Sequence, residues 1–270
     1  MSIEQIAARG IVLLGCGKMG SALLAGLLAQ GVPAEAVHVI EPHPSDWLLQ
    51  TGVQFGAPEQ PPGLVILAVK PQIMGDALSN VSAWGAGGTL YVSVAAGTPI
   101  SAFEEAFGAG TPIVRAMPNT PAAVGKGVTA IFGNAPAGAK GLDQAELLMQ
   151  TVGQVVRLET EDQMDAVTGV SGSGPAYVFH LIEALFEAGI AQGIPEALAM
   201  DLARATVAGA GALAETSQDG PGQLRQAVTS PGGTTQAALE VLMDDKGGLR
   251  PLLRRAVAAA ADRSRELRDG

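Results

Sequence analysis

Gly15-Cys16-Gly17-Lys18-Met19-Gly20 carries the glycine spacing that lets a backbone close in on an anion. The apolar run Ile11–Leu14 precedes it directly and a helical pattern over residues 21–30 follows it. In that strand–turn–helix setting Gly15 permits the tight turn, Gly17 admits a pyrophosphate to the main chain, and Gly20 lets helix and strand pack closely. The helix start offers unpaired N–H groups and a positive dipole end to the phosphates. Cys16 takes the variable position between the glycines and reads as spacer or packing. Glu41 ends the run Val37–Ile40, about 20 residues beyond Gly20, where a carboxylate can accept both hydroxyls of an adenosine ribose. Its other reading is a solvated loop carboxylate; no arginine stands beside it, although His43 does.

Three more segments end apolar runs in residues suited to a ligand. Ala68-Val69-Lys70-Pro71 turns from a strand toward a helix, at the sheet edge where open α/β folds bind ligands, with Lys70 readable also as a surface lysine. Val94-Ala95-Ala96-Gly97 ends in small residues that leave room for a flat ring. In Arg115-Ala116-Met117-Pro118-Asn119-Thr120-Pro121 the two prolines near Asn119 fix a loop that presents an amide, although a plain turn uses the same residues. Later, Thr229-Ser230-Pro231-Gly232-Gly233-Thr234-Thr235 gathers hydroxyls and N–H groups at a helix start. It is able to hold a small carboxylate without a basic residue, or merely to cap the helix. His38, His43 and His180 are scattered, with no metal-ligand spacing and no Ser/His/Asp order, and His180 reads as a packed helix residue.

The elements that must position these residues change type midway. From residue 11 to about 157, short β-branched runs (11–14, 37–40, 64–69, 90–94, 113–115, 127–132, 152–158) alternate with helical patterns, which predicts a mostly parallel sheet with crossover helices. Beyond about 160 the pattern is helical: 163–170, 176–193, 195–217, 221–228, 234–244 and 248–268. The expected boundary lies at 158–163, dividing an α/β dinucleotide-binding domain, 1–160, from an all-helical domain, 161–270. Helices such as 197–214 carry Ala and Gly on several faces and lack a full polar side, so a homodimer is the expected remedy, the other being burial against the sheet domain.

Bulk composition narrows the partners. A chain of 270 residues, 47% hydrophobic and 16% charged, is globular over most of its length. Its net charge of −10 without a basic cluster excludes nucleic acid and disfavours an anionic membrane surface. The start, residues 1–10, carries Glu4 and Arg9 and leads into too short an apolar run for a signal peptide, and no uninterrupted apolar stretch spans a bilayer. The single cysteine permits no internal disulfide, so the expected compartment is the cytoplasm.

Taken in order, Gly15–Gly20, 68–71, 94–97, 115–121, 169–177 and 230–235 resemble the pyrroline-5-carboxylate reductase family over nearly the whole chain. Arg-Ala-Met-Pro-Asn-Thr-Pro and Ser-Pro-Gly-Gly-Thr-Thr are far more specific to it than the glycine spacing. The resemblance implies a Rossmann-type N-terminal domain, a helical dimerisation domain, a homodimer that often assembles further into rings, and reduction of 1-pyrroline-5-carboxylate to L-proline by NADPH or NADH. It implies cofactor contacts at Gly15, Gly17, Met19, Gly20, Ala68, Lys70, Ala95 and Asn119. The substrate carboxylate falls to Ser230, Gly233 and Thr234, and the ring nitrogen to Thr235, the expected catalytic residue. Many members carry Asn at the position of Lys18, here a further cofactor-loop residue, and several hold a 2′-phosphate with residues unlike Glu41; Glu41 therefore leans toward NADH. A protonated imine already carries positive charge at the carbon to be attacked, so holding donor and acceptor close does most of the work and no acid–base dyad or metal is expected. Two other readings remain open here. A β-hydroxyacid-type dehydrogenase is expected to present a catalytic lysine on the first long C-terminal helix, and residues 176–193 contain none; a non-catalytic dinucleotide sensor has no need of an intact 230–235.

Overall fold

Unbroken apolar runs set the middle of an eight-stranded sheet in the computed structural model, which describes residues 3–269. Residues 1, 2 and 270, where the expected domains and the N-terminal segment begin or end, lie outside them. The strands are β1 (Ile11–Leu14), β2 (Val37–Ile40), β3 (Gln54–Phe55), β4 (Leu64–Leu67), β5 (Leu90–Ser93), β6 (Ile113–Met117), β7 (Gly127–Gly133) and β8 (Gly153–Arg157). Their order is β3-β2-β1-β4-β5-β6-β7-β8. Every neighbouring pair is parallel except β6 with β7. β1, β4 and β5 are buried along their whole length, as strands covered on both faces must be.

The helices among these strands are α1 (Ile3–Ala7), α2 (Lys18–Ala29), α3 (Asp46–Leu49), α4 (Met74–Leu78), α5 (Ile100–Phe107) and α6 (Gly138–Gln150). Alternate residues of β1 serve opposite cores. Ile11 and Leu13 pack with Leu23, Leu24 and Leu27 of α2, whereas Val12 and Leu14 pack with Phe103 and Phe107 of α5. The winding turns back beside β1, since β2 and β3 lie on one side of it and β4 onward on the other. Such a switch opens a crevice at the carboxyl ends of the strands.

The helical half comprises α7 (Gln163–Val167), prolonged by a π turn over Thr168–Gly172, then α8 (Gly174–Ala191), α9 (Glu196–Thr216), α10 (Pro221–Ala227), α11 (Thr234–Leu242) and α12 (Leu249–Asp269). Prolines stand in the first turns of α8 and α10, where a missing N–H costs nothing. By packing the chain forms two compact units. One runs to Gly172 and takes back the chain from Ala260; the other is Ser173–Ala259. The change of class expected at 158–163 does follow the last strand, yet the sheet unit reaches further because Met164 and Asp165 of α7 are buried in it. In the second unit α8 has no buried residue and α9 has only Ala199 and Ala203. His180 is exposed and pairs with Glu183, so the packed position expected for it is not found in the chain. Among the described residues α9 alone is long and apolar enough to cross a membrane by length and composition, with Asp201 and Arg204 interrupting it.

Candidate functional site

The turn between β1 and α2 is built for close approach of main chain to main chain. Gly15 has φ +88°, and a Cβ there would stand 2.7 Å from Val69 Cγ1 and 2.9 Å from its nitrogen. Only glycine enters that conformation without strain. A Cβ on Gly20 would run into the Gly15 carbonyl oxygen. A Cβ on Gly17 would meet nothing within 4 Å, so the space in front of the helix start is open. Gly17 is the N-cap of α2 and brings no side-chain cap, and Ser21 is the first residue whose N–H finds a carbonyl of the turn, that of Gly17. The preceding N–H groups are thus the orphan donors of a helix start, and the open space they face fits an anionic pyrophosphate. Lys18 is exposed and Met19 half-buried beside this space.

Glu41 is not a free loop carboxylate. Its Oε2 accepts the Cys16 N–H at 2.8 Å and its Oε1 the His43 N–H at 3.0 Å, which fixes the group against the glycine turn. Each oxygen keeps a lone pair for a further donor. Burial pushes the Cys16 thiol up, the Ser21 hydroxyl opposes this and the nearby Glu41 charge adds to it. A thiol held in that form is a poor nucleophile, in keeping with a spacer. Beside Glu41 opens a cavity of about 460 Å³ whose walls include Leu14, Val39, Phe55 and Ile73. The charged residues lining it are Glu41 and Asp76. Apolar walls with a fixed carboxylate at the rim suit a flat base carrying a ribose. Phe55, Ile73 and Asp76 escaped the sequence reading, because Phe55 sits in a two-residue strand and the other two in short helical turns without a recognisable period.

Ala68, Lys70, Ala95 and Asn119 stand just beyond β4, β5 and β6, at the same carboxyl edge as Gly15 and Glu41. The Ala68 N–H donates to the Leu14 carbonyl at 2.8 Å, tying the two turns together. Lys70 is exposed, at the start of a 3₁₀ turn opened by Pro71. Ala95 is buried and Ala96 exposed. Asn119 was expected to present its amide; it is buried instead, with Oδ1 accepting the Val128 N–H at 2.9 Å and Nδ2 donating to the Ser171 carbonyl at 3.1 Å. One amide hydrogen remains for another acceptor.

The residues at 230–235 lie in the second unit and are described there alone. Gly233 is the N-cap of α11 and no side chain caps that helix, so the hydroxyls of Ser230, Thr234 and Thr235 are not spent on capping. The Gly233 N–H donates to the Ser230 carbonyl at 3.0 Å, and Ala237 is the first residue of α11 to donate back, to Gly233. The Gly232 N–H donates to Gln236 Oε1 at 2.7 Å, which steadies the loop. A Cβ on Gly233 would strike the Ser230 hydroxyl, so backbone and hydroxyl are held close together. Three hydroxyls stand beside the orphan N–H groups of a nine-residue helix, an arrangement able to hold a small carboxylate without a basic residue.

Comparison with known proteins bears on both units. Residues 161–267 match the family described as pyrroline-5-carboxylate reductase dimerisation, and residues 10–97 that described as NADP oxidoreductase coenzyme F420-dependent. A pyrroline-5-carboxylate reductase of Synechocystis sp. is 42% identical over 263 residues, covering 94% of this chain and 97% of its own. Among solved structures, a pyrroline-5-carboxylate reductase of Coxiella burnetii aligns with TM-score 0.88 at 34% identity, covering 96% of this chain and 98% of its own. The pyrroline carboxylate reductase of Plasmodium falciparum, solved with NADP bound, aligns with TM-score 0.82 at 28% identity, covering 96% and 98%.

Proposed function

Since the chain belongs to the pyrroline-5-carboxylate reductase family, we propose which of its residues carry the reaction and which reduced dinucleotide it takes. It is an NAD(P)H-dependent oxidoreductase acting on a C=N bond, reducing 1-pyrroline-5-carboxylate to L-proline in proline biosynthesis. Membership sets aside the β-hydroxyacid-type dehydrogenase and the non-catalytic sensor.

When bound, the dinucleotide supplies the hydride. In our reading the sheet half, 1–160, holds it. Gly15, Gly17, Lys18, Met19 and Gly20 form the pyrophosphate turn, Glu41 takes the adenosine ribose, and Ala68, Lys70, Ala95 and Asn119 line the path along the strand ends. The helical half, 161–270, holds the substrate and pairs with a second copy. Ser230, Gly233 and Thr234 hold the substrate carboxylate, and the Thr235 hydroxyl meets the ring nitrogen and orients it. Thr235 exchanges no proton that water cannot supply. The protein's contribution is alignment, which brings bimolecular reactants within reach at a gain of several kcal/mol. We place the enzyme in the cytoplasm, where a chain with one cysteine needs no disulfide, as a homodimer able to build rings of dimers.

Cofactor choice rests on one observation: Glu41 is fixed on the glycine turn, and the cavity beside it has Asp76 as its other charged wall. Two carboxylates welcome ribose hydroxyls and oppose a 2′-phosphate. NADH is then used at least as well as NADPH. Loss of absorbance of either cofactor on adding 1-pyrroline-5-carboxylate reads the activity. Comparing kcat/KM for the two in wild type and in Glu41→Ser reads the choice, and the substitution shifts preference toward NADPH by about tenfold, or about 1.4 kcal/mol. A wild type strongly selective for NADPH, with the ratio unmoved in Glu41→Ser, removes Glu41 from the ribose site.

A further inference from the structure

Asp165, in α7, is a carboxylate 1% exposed whose side-chain hydrogen bonds among the described residues go to Ser264 and Arg268 and to none of the residues assigned to either ligand. Its partners lie 99 and 103 residues further along the chain. Oδ1 accepts the Ser264 hydroxyl at 2.6 Å, and Oδ2 accepts Arg268 Nη1 at 2.9 Å. The last turns of α12 are thereby tied down, where a helix end ordinarily frays. Between the two tethers, Leu267 lies against the loop that leaves β5: a Cβ on Gly97 would stand 3.3 Å from Leu267 Cβ and 3.5 Å from its carbonyl oxygen. The same loop is held at its other end. Glu161, four residues before Asp165, accepts the Ile100 N–H at 2.9 Å and the buried Arg115 Nη1 at 3.0 Å. Residues 94–99 are thus bracketed by two carboxylates of one short segment, directly through Glu161 and through Leu267 for Asp165.

A buried carboxylate is costly unless it is paired and hydrogen-bonded, and a network of this kind, with a donor on each Asp165 oxygen, specifies one geometry. The geometry it specifies is that of the small-residue loop. We propose that Asp165, with Ser264 and Arg268, is a positioning device for the reaction: it seats Leu267 on Gly97 and so sets the loop against which the hydride-donating ring lies. This rests on the reading that the ring lies at residues 94–97. A displacement of about 1 Å at such a point costs about a hundredfold in rate, whereas affinity, dominated by pyrophosphate and adenosine contacts, changes little.

The test measures four variants in the full chain. Ser264→Ala removes one donor and leaves Asp165 paired with Arg268, Asp165→Asn removes the charge, Ser264→Thr restores the hydroxyl, and Ala96→Leu fills the exposed face of the loop. Read-outs are kcat per titrated NADH site, Kd for NADH, and the primary isotope effect with NADH deuterated at the transferred hydrogen. Ser264→Ala and Asp165→Asn are expected to lower kcat about tenfold with Kd within about twofold, and to raise the isotope effect as hydride transfer becomes limiting. Ser264→Thr returns kcat to near wild type. Should Asp165→Asn fail to fold, Ser264→Ala still decides. Wild-type kcat and isotope effect per site in Ser264→Ala, with only a lower Tm, overturn the positioning role while Ala96→Leu, if impaired, keeps the ring at this loop. An Ala96→Leu enzyme with unchanged kcat and Kd removes the ring from the loop, and the proposal falls with it.

Discussion

In the role proposed for it, Thr235 supplies one hydrogen bond to a ring nitrogen, and its hydroxyl has no capping duty at the start of α11 that would compete. Thr235→Val keeps the branched shape and removes the oxygen. Losing one hydrogen bond to a charged group costs about 1.5–3 kcal/mol, so kcat/KM for the imine is expected to fall about ten- to a hundredfold with Kd for NADH unchanged. Steady-state kinetics beside a direct NADH titration separate the two; unaltered turnover takes Thr235 out of the site. The same logic at Glu41 is sharper, because its two oxygens are already anchored by Cys16 and His43 N–H groups and cannot swing away from an incoming phosphate without losing both. The type and place of Glu41 were readable from spacing alone. Its anchoring was not, since a hydrogen bond to a backbone N–H twenty-five residues away leaves no mark on residue type.

Two glycines with the same apparent role separate when their elements are considered. Gly20 in α2 faces the Gly15 carbonyl, a backbone atom that cannot rotate away, so Gly20→Ala must push helix from strand. Overpacking of that kind costs about 1–3 kcal/mol, about 2–10 °C in Tm for a chain of this size, with loss of NADH binding. Gly233 faces first a side-chain hydroxyl, that of Ser230, which can turn, and then the Ser230 carbonyl oxygen at 3.1 Å, which asks for a shift of a few tenths of an ångström only. Gly233→Ala is expected to leave Tm within about 2 °C and, if the proposed carboxylate site is right, to raise KM for the imine about tenfold as the hydroxyl turns away from it. Thermal melts and kinetics on the two variants check the contrast; equal behaviour would mean that neither helix start is shaped as described. At this scale the sequence was most legible where burial is strongest. β1 and β4 lie under unbroken apolar runs and β5 under one interrupted by the buried Ser93; the helices α8 to α12, although little buried, also begin and end within two residues of their expected limits. α3 was missed, being too short for a 3.6-residue period to show, and so was β3, a two-residue edge strand, whereas the helix expected after Pro71 is there as a 3₁₀ turn running into α4. Asn119 was read as a presented amide because proline-fixed loops do present side chains, but β7 supplies a closer donor in the Val128 N–H.

The exposed face of the second unit is a property of the whole molecule. On α8, Val178, Phe179, Leu181, Leu185 and Ile190 are open to solvent, and on α9 Leu198, Leu202 and Leu213. So many large apolar side chains open to solvent on two neighbouring helices are unusual on a monomer and point to an interface. The chain carries the family's dimerisation region over residues 161–267, which contain all of these. In a two-fold interface each residue is buried twice, so one substitution counts twice. Phe179 is 58% exposed in the single chain. If the partner covers it, Phe179→Glu forfeits about 1.5–3 kcal/mol per copy, about 3–6 kcal/mol per dimer, or between about a hundred- and ten-thousandfold in dissociation constant. Sedimentation at low micromolar protein is expected to give wild type at twice the 27.2 kDa chain mass or a multiple of it, and Phe179→Glu at or near the single mass. Activity of the variant should return as its concentration is raised, because association is then restored by mass action. A wild type that stays monomeric and fully active at that concentration would show that these helices find their cover within one chain.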